Sequence, residues 1–207
     1  EYFKTSYRLY VMDYDALSLL NKRWRMLKPI AHKVDEIAHS LDVLPIIARL
    51  LINRKIETVN EAQIFMESAL SSLHDPFLIT GMESAADRIL KAIENKESIR
   101  LFCDYDVDGV SSTAVLYQFF KSIEMDVSYY IPHRDIDGYG LSKRGIDFAH
   151  SIGATLIITC DCGINAFKEI EYAMGMDINV IVTDHHKPER NIPDCIAVIN
   201  PNREDCK

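Results

Sequence analysis

The spacing of hydrophobic residues along the chain changes near residue 97. Before that point, apolar positions recur at helical spacing over Leu41–Asn53. The pairs Thr58-x-x-Glu61 and Thr80-x-x-Glu83 match capping boxes, which predict helices over about 59–73 and 81–96. We therefore expect residues 1–96 to form a mainly helical N-terminal region. Its earliest part carries aromatic residues compatible with a strand or an arm: Tyr2, Phe3, Tyr7 and Tyr10.

Beyond residue 97, short apolar runs alternate with longer segments of helical spacing. Apolar runs begin at Ile99, Ala154 and Ile178, and the last two are short and rich in β-branched residues, as buried parallel strands are. A further strand is predicted over residues 126–132. Helices are predicted near residues 109–124, 142–152 and 165–174. The alternation predicts an α/β fold over residues 97–207, with a parallel sheet and helices on both of its faces.

Acidic residues follow the first of these apolar runs at strict two-residue spacing, as Asp104, Asp106 and Asp108. If the chain stays extended from Ile99 to Asp108, all three carboxylates project from one face, because side chains alternate along a strand. Close anions raise one another's pKa unless a cation neutralises them, and such oxygen ligands suit Mg²⁺ or Mn²⁺. A solvated acidic turn is the alternative when the triplet is considered alone.

Two further polar clusters occupy the same position relative to their strands. Asp161 follows the second apolar run, and Asp184-His185-His186 follows the third. The carboxyl ends of strands in an open α/β sheet share the edge where ligands bind. Carboxylates and imidazoles that converge there are what a metal-assisted hydrolase requires. Successive side chains point in different directions, so one imidazole can bind metal while the next faces substrate.

Two residues outside these clusters are candidates for contacts with a phosphate. Gly109 opens a predicted helix, where a small residue lets a ligand approach the N-terminal amides, although a simple strand-to-helix turn also explains it. Arg134 precedes a loop with two glycines and is suited to hold a DNA phosphate bidentately; the alternative is an exposed structural arginine. Tyr139 in the same loop suits either stacking on a base or packing.

Composition narrows the class of protein further. The chain has 207 residues, 48% of them hydrophobic, which is enough for one large domain or one domain with a smaller attachment. Its net charge of −8 is unlike that of a nucleic-acid-binding surface, so any nucleic acid on which this segment acts is expected to be held mainly elsewhere in a longer protein. The five cysteines lack disulfide or zinc spacing, which predicts free thiols in a reducing cytoplasm. No apolar run approaches the ~20 residues of a membrane span, and no membrane association is expected.

The polar clusters also carry a family resemblance. Asp104-Tyr-Asp-Val-Asp-Gly109, Asp161-Cys-Gly163 and Asp184-His-His186 resemble motifs I, II and III of the DHH phosphoesterase superfamily. Other stretches are similar to its RecJ subfamily of exonucleases specific for single-stranded DNA: Asn53-Arg54, Asp75-Pro76, Ile131-Pro-His-Arg134, Gly138-Tyr-Gly-Leu141 and Val198-Ile-Asn-Pro201. The resemblance runs from Trp24 to the last residue.

The resemblance implies a two-metal site. Asp106 and Asp108 would each hold one Mn²⁺ or Mg²⁺ ion, and Asp161 would bridge the two. Asp104 would be a further ligand or a nearby support. Two such ions activate a water and stabilise the leaving oxygen during in-line attack on a phosphodiester.

The resemblance also distributes the roles of the third cluster. The first imidazole, His185, would complete one metal site. The second, His186, would lie near the scissile phosphate. Asp184 would then orient an imidazole from behind.

By the same resemblance, the substrate is single-stranded DNA, degraded from its 5′ end to mononucleotides in recombination and mismatch repair. Motif IV, with another metal-binding Asp, and a DHH-associated domain normally follow, so we expect this chain to be an N-terminal fragment that is nearly inactive alone. The expected partners are single-stranded DNA, the C-terminal domains of the same protein, and a helicase or single-strand-binding protein.

Three other functions are compatible with parts of the sequence. Related enzymes that act on short oligonucleotides, cyclic dinucleotides or pyrophosphate usually carry a His where this chain has Phe102. Inactive scaffolds at replication forks have lost metal-binding carboxylates, whereas all those within reach are present here. A stand-alone nucleic-acid-binding module is disfavoured by the acidic composition.

Overall fold

The computed structural model of the protein describes residues 27–67, 69–189 and 191–206. The chain divides into two compact units, Glu1–Leu73 and His74–Lys207. The candidate aromatic strand near the N-terminus lies outside the described residues. Within the ranges described, no helix has the length and apolar character needed to cross a bilayer.

The described part of the first unit is helical, as the spacing predicts. Its helices are α1 (Ala31–Ser40), α2 (Pro45–Asn53) and α3 (Val59–Glu67), and a 3₁₀ turn follows at Leu70–Ser72. The first capping box is confirmed, because the Glu61 amide donates to Thr58 Oγ1 over 3.2 Å and the Thr58 amide donates to Glu61 Oε2 over 3.1 Å. The core of this unit consists of Val34, Ile37, Ala48, Leu51, Ile52 and Ala62.

The second unit alternates helices and strands. After a 3₁₀ turn at Pro76–Leu78 come α4 (Met82–Glu94), β1 (Ile99–Cys103), α5 (Val107–Ser122), β2 (Val127–Tyr130), α6 (Lys143–Ser151), β3 (Leu156–Cys160), α7 (Phe167–Met174), β4 (Asn179–Thr183) and β5 (Ala197–Ile199). Each pair of neighbouring strands is parallel, in the spatial order β2-β1-β3-β4-β5. The predicted α/β fold with a parallel sheet is confirmed.

Helices cover both faces of the sheet and bury its apolar side chains. On one face, α4 and α5 pack over Ile99, Leu101 and their neighbours in β3 and β4. On the other, α6 and α7 pack over Phe102, Ile157 and Val180. Helix α4 lies before residue 97, where the α/β domain was predicted to begin, but it packs on the sheet as part of the second unit. The domain boundary between residues 96 and 97 stays a prediction. The five cysteines are free, as predicted.

The register of the sheet aligns the residues that follow four of its strands. Cys103, Cys160, Thr183 and Ile199 lie beside one another as the last paired residues of β1, β3, β4 and β5. The next residue of each strand is polar and buried: Asp104, Asp161, Asp184 and Asn200. The strand order reverses between β1 and β3, and ligands bind at such a switch point in open α/β sheets. The candidate site therefore lies at this edge.

The second predicted capping box is wrong. Gly81, with a φ of 91°, precedes the start of α4, and no side chain caps this helix. A Cβ at Gly81 would lie 2.7 Å from the carbonyl oxygen of Val198, so this backbone path excludes other residues. The Thr80 hydroxyl instead donates to the carbonyl oxygen of Asp205 over 3.0 Å. A long-range contact thus replaces the local cap.

An ion pair at the amino end of the sheet gives a stability test away from the site. Arg88 donates to both carboxylate oxygens of Glu97, over 2.6 and 3.3 Å, and Thr155 Oγ1 donates to the same carboxylate over 2.6 Å. The hydrogen bonds from Arg88 are the main reason that the pKa of Glu97 is lowered. A lowered folded-state pKa contributes stability above the unfolded value, and this contribution is lost as the pH falls through the folded value.

We expect Glu97→Gln to reduce the free energy of unfolding by about 1–2 kcal/mol at pH 7. The deficit should shrink as the pH falls below about 4, where the wild-type carboxylate is protonated as well. Urea unfolding at several pH values measures it. Glu94→Gln, at an exposed position on α4, is the matched control. A deficit that is independent of pH would show that the charge of Glu97 is not what stabilises the unit.

Candidate metal centre

The acidic triplet after β1 does not form one extended face. Strand β1 ends at Cys103, and the carboxylate of Asp106 caps α5 by accepting a hydrogen bond from the Gly109 amide over 3.0 Å. Asp104 is buried and accepts from the Tyr105 amide, whereas Asp108 is exposed in the first turn of α5. The prediction of an extended chain to Asp108 is wrong because the Asp106 cap starts a helix there.

Gly109 has a structural reason to be glycine. A Cβ at this position would lie 2.5 Å from the carbonyl oxygen of Asp104 and 2.8 Å from its nitrogen. The start of α5 therefore lies directly against the end of β1, with no room for a side chain. Since its amide is already bonded to Asp106, this N–H is occupied. A contact between Gly109 and substrate stays a prediction.

Asp161 occupies a strained backbone position at the end of β3. Its φ is 62°, a left-handed conformation that Asp tolerates better than most residues. Its Oδ1 lies 2.9 Å from His185 Nε2, while its buried Oδ2 has no hydrogen-bond partner. Burial raises the pKa of Asp161, with added repulsion from Asp106 and Asp184 and opposition from His185. A buried carboxylate oxygen without a donor fits a site completed by a cation.

Asp184 holds the two histidines from behind. Its Oδ1 accepts hydrogen bonds from the His185 amide over 2.7 Å, the His186 amide over 2.9 Å and, in the corresponding tautomer, His186 Nδ1 over 2.7 Å. Its Oδ2 accepts from the Ile164 amide over 2.9 Å. The hydrogen bond that His186 donates to Asp184 is the main reason that the pKa of His186 is raised. Both oxygens of Asp184 are thus engaged in hydrogen bonds, and its role in orienting an imidazole behind a metal site stays a prediction.

The ligand atoms of Asp161, His185 and His186 all lie within 4.8 Å of one another, which is compatible with a metal ion. The two imidazoles lie side by side, with ring centres 4.8 Å apart and planes tilted by 42°, but they line different cavities. His185 lines a shallow cavity of about 340 Å³ together with Asp108, Ser112 and Asp161. His186 lines a larger cavity of about 690 Å³ on the side of the Tyr139 loop. The two rings thus line different cavities, and their separate roles as metal ligand and substrate contact stay a prediction.

The three aspartates after β1 lie farther from the centre of this cluster than Asp161 and the two histidines do. Among the residues that the structure describes, none of Asp104, Asp106 and Asp108 joins the set of ligand atoms within 4.8 Å. Asp108 nevertheless shares the smaller cavity with Asp161, and Asp106 lies close enough to raise the pKa of Asp161. The structure thus brings Asp161 and the histidines together and leaves Asp106 and Asp108 around them.

The loop between β2 and α6 brings Tyr139 to the cluster. The Tyr139 hydroxyl donates to the carbonyl oxygen of Asp161 over 3.3 Å and lies 3.3 Å from His186 Nε2. Burial, followed by repulsion from Asp104, raises the pKa of Tyr139 well above its usual range. Arg134 is exposed, with its guanidinium 5.6 Å from the centre of the Tyr105 ring. Tyr139 therefore contacts the cluster directly. Arg134 does not, but it contacts Tyr105, whose ring centre lies 6.4 Å from that of Tyr139.

The sequence-based reasoning gave no role to two asparagines, although Asn200 lies within the Val198-Ile-Asn-Pro201 stretch that resembles the RecJ subfamily. The side-chain amide of Asn200 donates to the carbonyl oxygen of His186 over 2.9 Å, and that of Asn202 donates to the carbonyl oxygen of His185. Asn200 follows β5 in the same way that Asp104, Asp161 and Asp184 follow their strands. A polar residue directly after an apolar run was the available signal, but that run has only three residues.

Comparison with known proteins identifies relatives of the chain. Residues 98–207 match the DHH family, N-terminal domain. The single-stranded-DNA-specific exonuclease RecJ of Bacillus subtilis is 37% identical over 184 residues, which are 89% of this chain and 23% of that protein. The Escherichia coli protein of the same name is 35% identical over 176 residues, or 84% and 30% of the two chains. The chain thus spans about a quarter to a third of the length of these relatives.

Solved structures give the same picture. An exonuclease RecJ bound to manganese has 32% sequence identity and a TM-score of 0.59, over 65% of this chain and 35% of that one. RecJ in complex with Mn²⁺ from Thermus thermophilus has 26% identity and a TM-score of 0.64, over 88% and 25%. The resemblance carried by the motifs is confirmed.

Proposed function

Because the chain belongs to the DHH family, we propose that it is the metal-binding part of an exonuclease that hydrolyses single-stranded DNA from its 5′ end. The observation that carries this proposal is the cluster of Asp161, His185 and His186 at the switch point of the sheet, with one carboxylate oxygen of Asp161 unpartnered. The names of the relatives supply the substrate class, and the 5′ polarity rests on the family resemblance alone.

Manganese or magnesium is the cofactor that the donor set fits. Asp161 would bridge two ions, Asp106 and Asp108 would each hold one, and His185 would complete one of the sites. Asp104 would support the cluster from its buried position beside Asp161. Carboxylate oxygens with one or two imidazoles suit Mn²⁺, and the solved relatives are described as manganese-bound. When bound, such ions supply Lewis-acid stabilisation and lower the pKa of a water molecule.

The remaining residues of the cluster orient the substrate. Asp184 engages His186 Nδ1, which leaves Nε2 as the ring nitrogen available to a substrate. The ring lines the larger cavity beside the Tyr139 hydroxyl, which lies 3.4 Å from Nδ1 and 3.3 Å from Nε2. The raised pKa of His186 favours an imidazolium, which can donate to a phosphate oxygen. Arg134 is proposed as a second phosphate contact. These groups would hold the strand while the carboxylates and His185 hold the metal.

Digestion of end-labelled DNA by the full-length protein tests the function. Single-stranded oligonucleotides labelled at either end should release mononucleotides only when Mn²⁺ or Mg²⁺ is present. Loss of the 5′ label in the first turnover would support the proposed polarity. Double-stranded DNA should be degraded far more slowly. Absence of any metal-dependent cleavage would favour an inactive scaffold, and preferential cleavage of short oligonucleotides or cyclic dinucleotides would favour the other DHH-type activities.

The 207-residue chain alone should bind divalent metal but degrade DNA only weakly. Its residues supply donors from three strand ends, but the family places a further metal-binding Asp and a second domain downstream. An incomplete site loses the positioning that provides much of the rate. Manganese titration and a single-strand digestion assay measure the two properties. Robust digestion that Asp108→Ala abolishes would show that these residues suffice.

Arg134→Ala should weaken the binding of single-stranded DNA while leaving metal binding unchanged. Loss of one phosphate contact lowers the salt dependence, d log K/d log [salt], by roughly 0.7–1 unit. Fluorescence anisotropy at several salt concentrations measures the slope. Arg49→Ala, which removes an exposed arginine of α2 in the first unit, is the control for the loss of one positive charge. An unchanged slope and affinity for Arg134→Ala would leave Arg134 as a structural residue.

A further inference from the structure

The segment that follows β5 contacts the backbone of both histidines of the site. Asn200 is fully buried; its Nδ2 donates to the carbonyl oxygen of His186 over 2.9 Å, and its Oδ1 accepts from the amide of Asn202 over 2.8 Å. Asn202 is exposed, and its own side-chain amide donates to the carbonyl oxygen of His185. Each histidine carbonyl therefore has one asparagine donor.

These contacts complement those of Asp184. The carboxylate of Asp184 accepts the backbone N–H groups of His185 and His186, while the two asparagines donate to the carbonyl groups of the same residues. The two residues are thus held through both their N–H and C=O groups. These four groups belong to three consecutive peptide planes, and rotation of any of them would break at least one of these hydrogen bonds. These hydrogen bonds fix the backbone of His185 and His186, and with it the direction in which each side chain leaves the main chain.

The burial of Asn200 supports a specific role for its amide. Its neighbours in the strand, Ala197 and Val198, belong to the apolar core. A fully buried amide is unfavourable unless its hydrogen bonds are satisfied, and here its donor and its acceptor are both used. Both are directed at the His185–His186 segment, one directly and one through Asn202. A purely structural position at this point of the core would suit an apolar side chain.

We propose that Asn200 and Asn202 are positioning residues that set the direction of the His185 and His186 imidazoles through their backbone carbonyls. The proposal rests on the proposed function, because it assumes that His185 binds a divalent metal. Groups that orient metal ligands from behind typically change metal affinity by about 10–100-fold when they are removed. Asn202 donates to the carbonyl oxygen of His185, the proposed metal ligand, so its loss should lower metal affinity directly. Asn200 also supports Asn202, so its loss should have the larger effect.

The test measures manganese binding by the wild type, Asn202→Ala and Asn200→Ala forms of the full-length protein. Calorimetry gives the affinity, and pulsed electron paramagnetic resonance detects the ¹⁴N coupling of an imidazole bound to Mn²⁺. We expect an affinity about tenfold lower in Asn202→Ala, with a weakened ¹⁴N signal at saturating metal, and a greater loss in Asn200→Ala. If Asn200→Ala does not fold, Asn202→Ala still decides, because Asn202 is exposed.

Asn165→Ala is the matched control. Asn165 also donates to one backbone carbonyl, that of Lys187, and accepts from one backbone amide, that of Glu189. It therefore removes the same kind of hydrogen bonds from the same loop but touches neither histidine. An unaltered ¹⁴N signal and affinity in Asn202→Ala, or an equal loss in Asn165→Ala, would overturn the positioning role. Absence of a ¹⁴N signal in the wild type would instead contradict the proposed metal site.

Discussion

Replacing Asp161 with Asn should lower DNA cleavage by the full-length protein by about 10³-fold or more. A carboxylate shared by two ions contributes several kcal/mol to the reaction, and each 1.4 kcal/mol corresponds to a factor of about ten. Asn keeps the size of the side chain and tolerates the left-handed conformation that the φ of 62° imposes. The variant therefore removes the charge without adding backbone strain. Asp161→Ala would add strain, because Ala tolerates this conformation less well than Asn.

The same substitution should leave the metal-free protein equally stable or more stable. Burial raises the pKa of Asp161, so folding is most favourable while this group is protonated, and that advantage is lost as the pH rises through the folded-state pKa. Asn removes this penalty; its stability gain over the wild type should be greatest at neutral pH and should shrink in acid. Thermal unfolding with a chelator present, at several pH values, measures the difference.

Asp126→Asn is the control for the loss of one negative charge. Asp126 is exposed next to the amino end of β2, at the opposite end of the sheet from the site. It should retain wild-type cleavage. Cleavage by Asp161→Asn within tenfold of the wild-type rate would contradict the bridging role. A large loss of metal-free stability would mean that the contact with His185 outweighs the cost of burying the carboxylate.

Replacing Gly109 with Ala should damage both stability and activity. The new Cβ would lie 2.5 Å from the carbonyl oxygen of Asp104, 2.8 Å from its nitrogen and 2.9 Å from its carbonyl carbon. All three are backbone atoms, so no side chain can move aside to relieve the overlap. Either α5 or the end of β1 must shift. We expect a loss of about 1–3 kcal/mol in the free energy of unfolding, the usual range for overpacking, or more.

Activity should fall further than stability alone explains, because the shift moves Asp106 and Asp108 relative to Asp161. Urea unfolding and the single-strand digestion assay, run well below the melting temperature, separate the two effects. Gly175→Ala is the matched control: Gly175 has a helical φ of −64°, and a Cβ there would meet its neighbours at 3.4 Å or more. That change should be neutral or slightly stabilising. Equal behaviour of the two variants would contradict the close packing of α5 on β1.

Local patterns in the sequence sufficed for the fold class and for most of the polar clusters. Short apolar runs located β1, β3 and β4 because buried parallel strands need continuous hydrophobic side chains. The polar residues directly after those runs identified Asp104, Asp161 and Asp184, since strand ends in an α/β sheet share one edge. The capping box at Thr58 was recognised because it involves residues only three positions apart.

The arrangement within the site depended on contacts that no local pattern encodes. The left-handed turn at Asp161, the position of α5 against β1 and the order of the strands follow from packing between distant segments. The Thr80 prediction failed for the same reason, because its hydroxyl binds a carbonyl 125 residues away. Asn200 donates a hydrogen bond to the carbonyl oxygen of His186, 14 positions away, and only the parallel pairing of β5 with β4 brings it beside Asp184. The sequence by itself determined which polar residues follow each strand. The order and register of the strands decided which of those residues lie together in the site, because only the pairing of the strands aligns their ends.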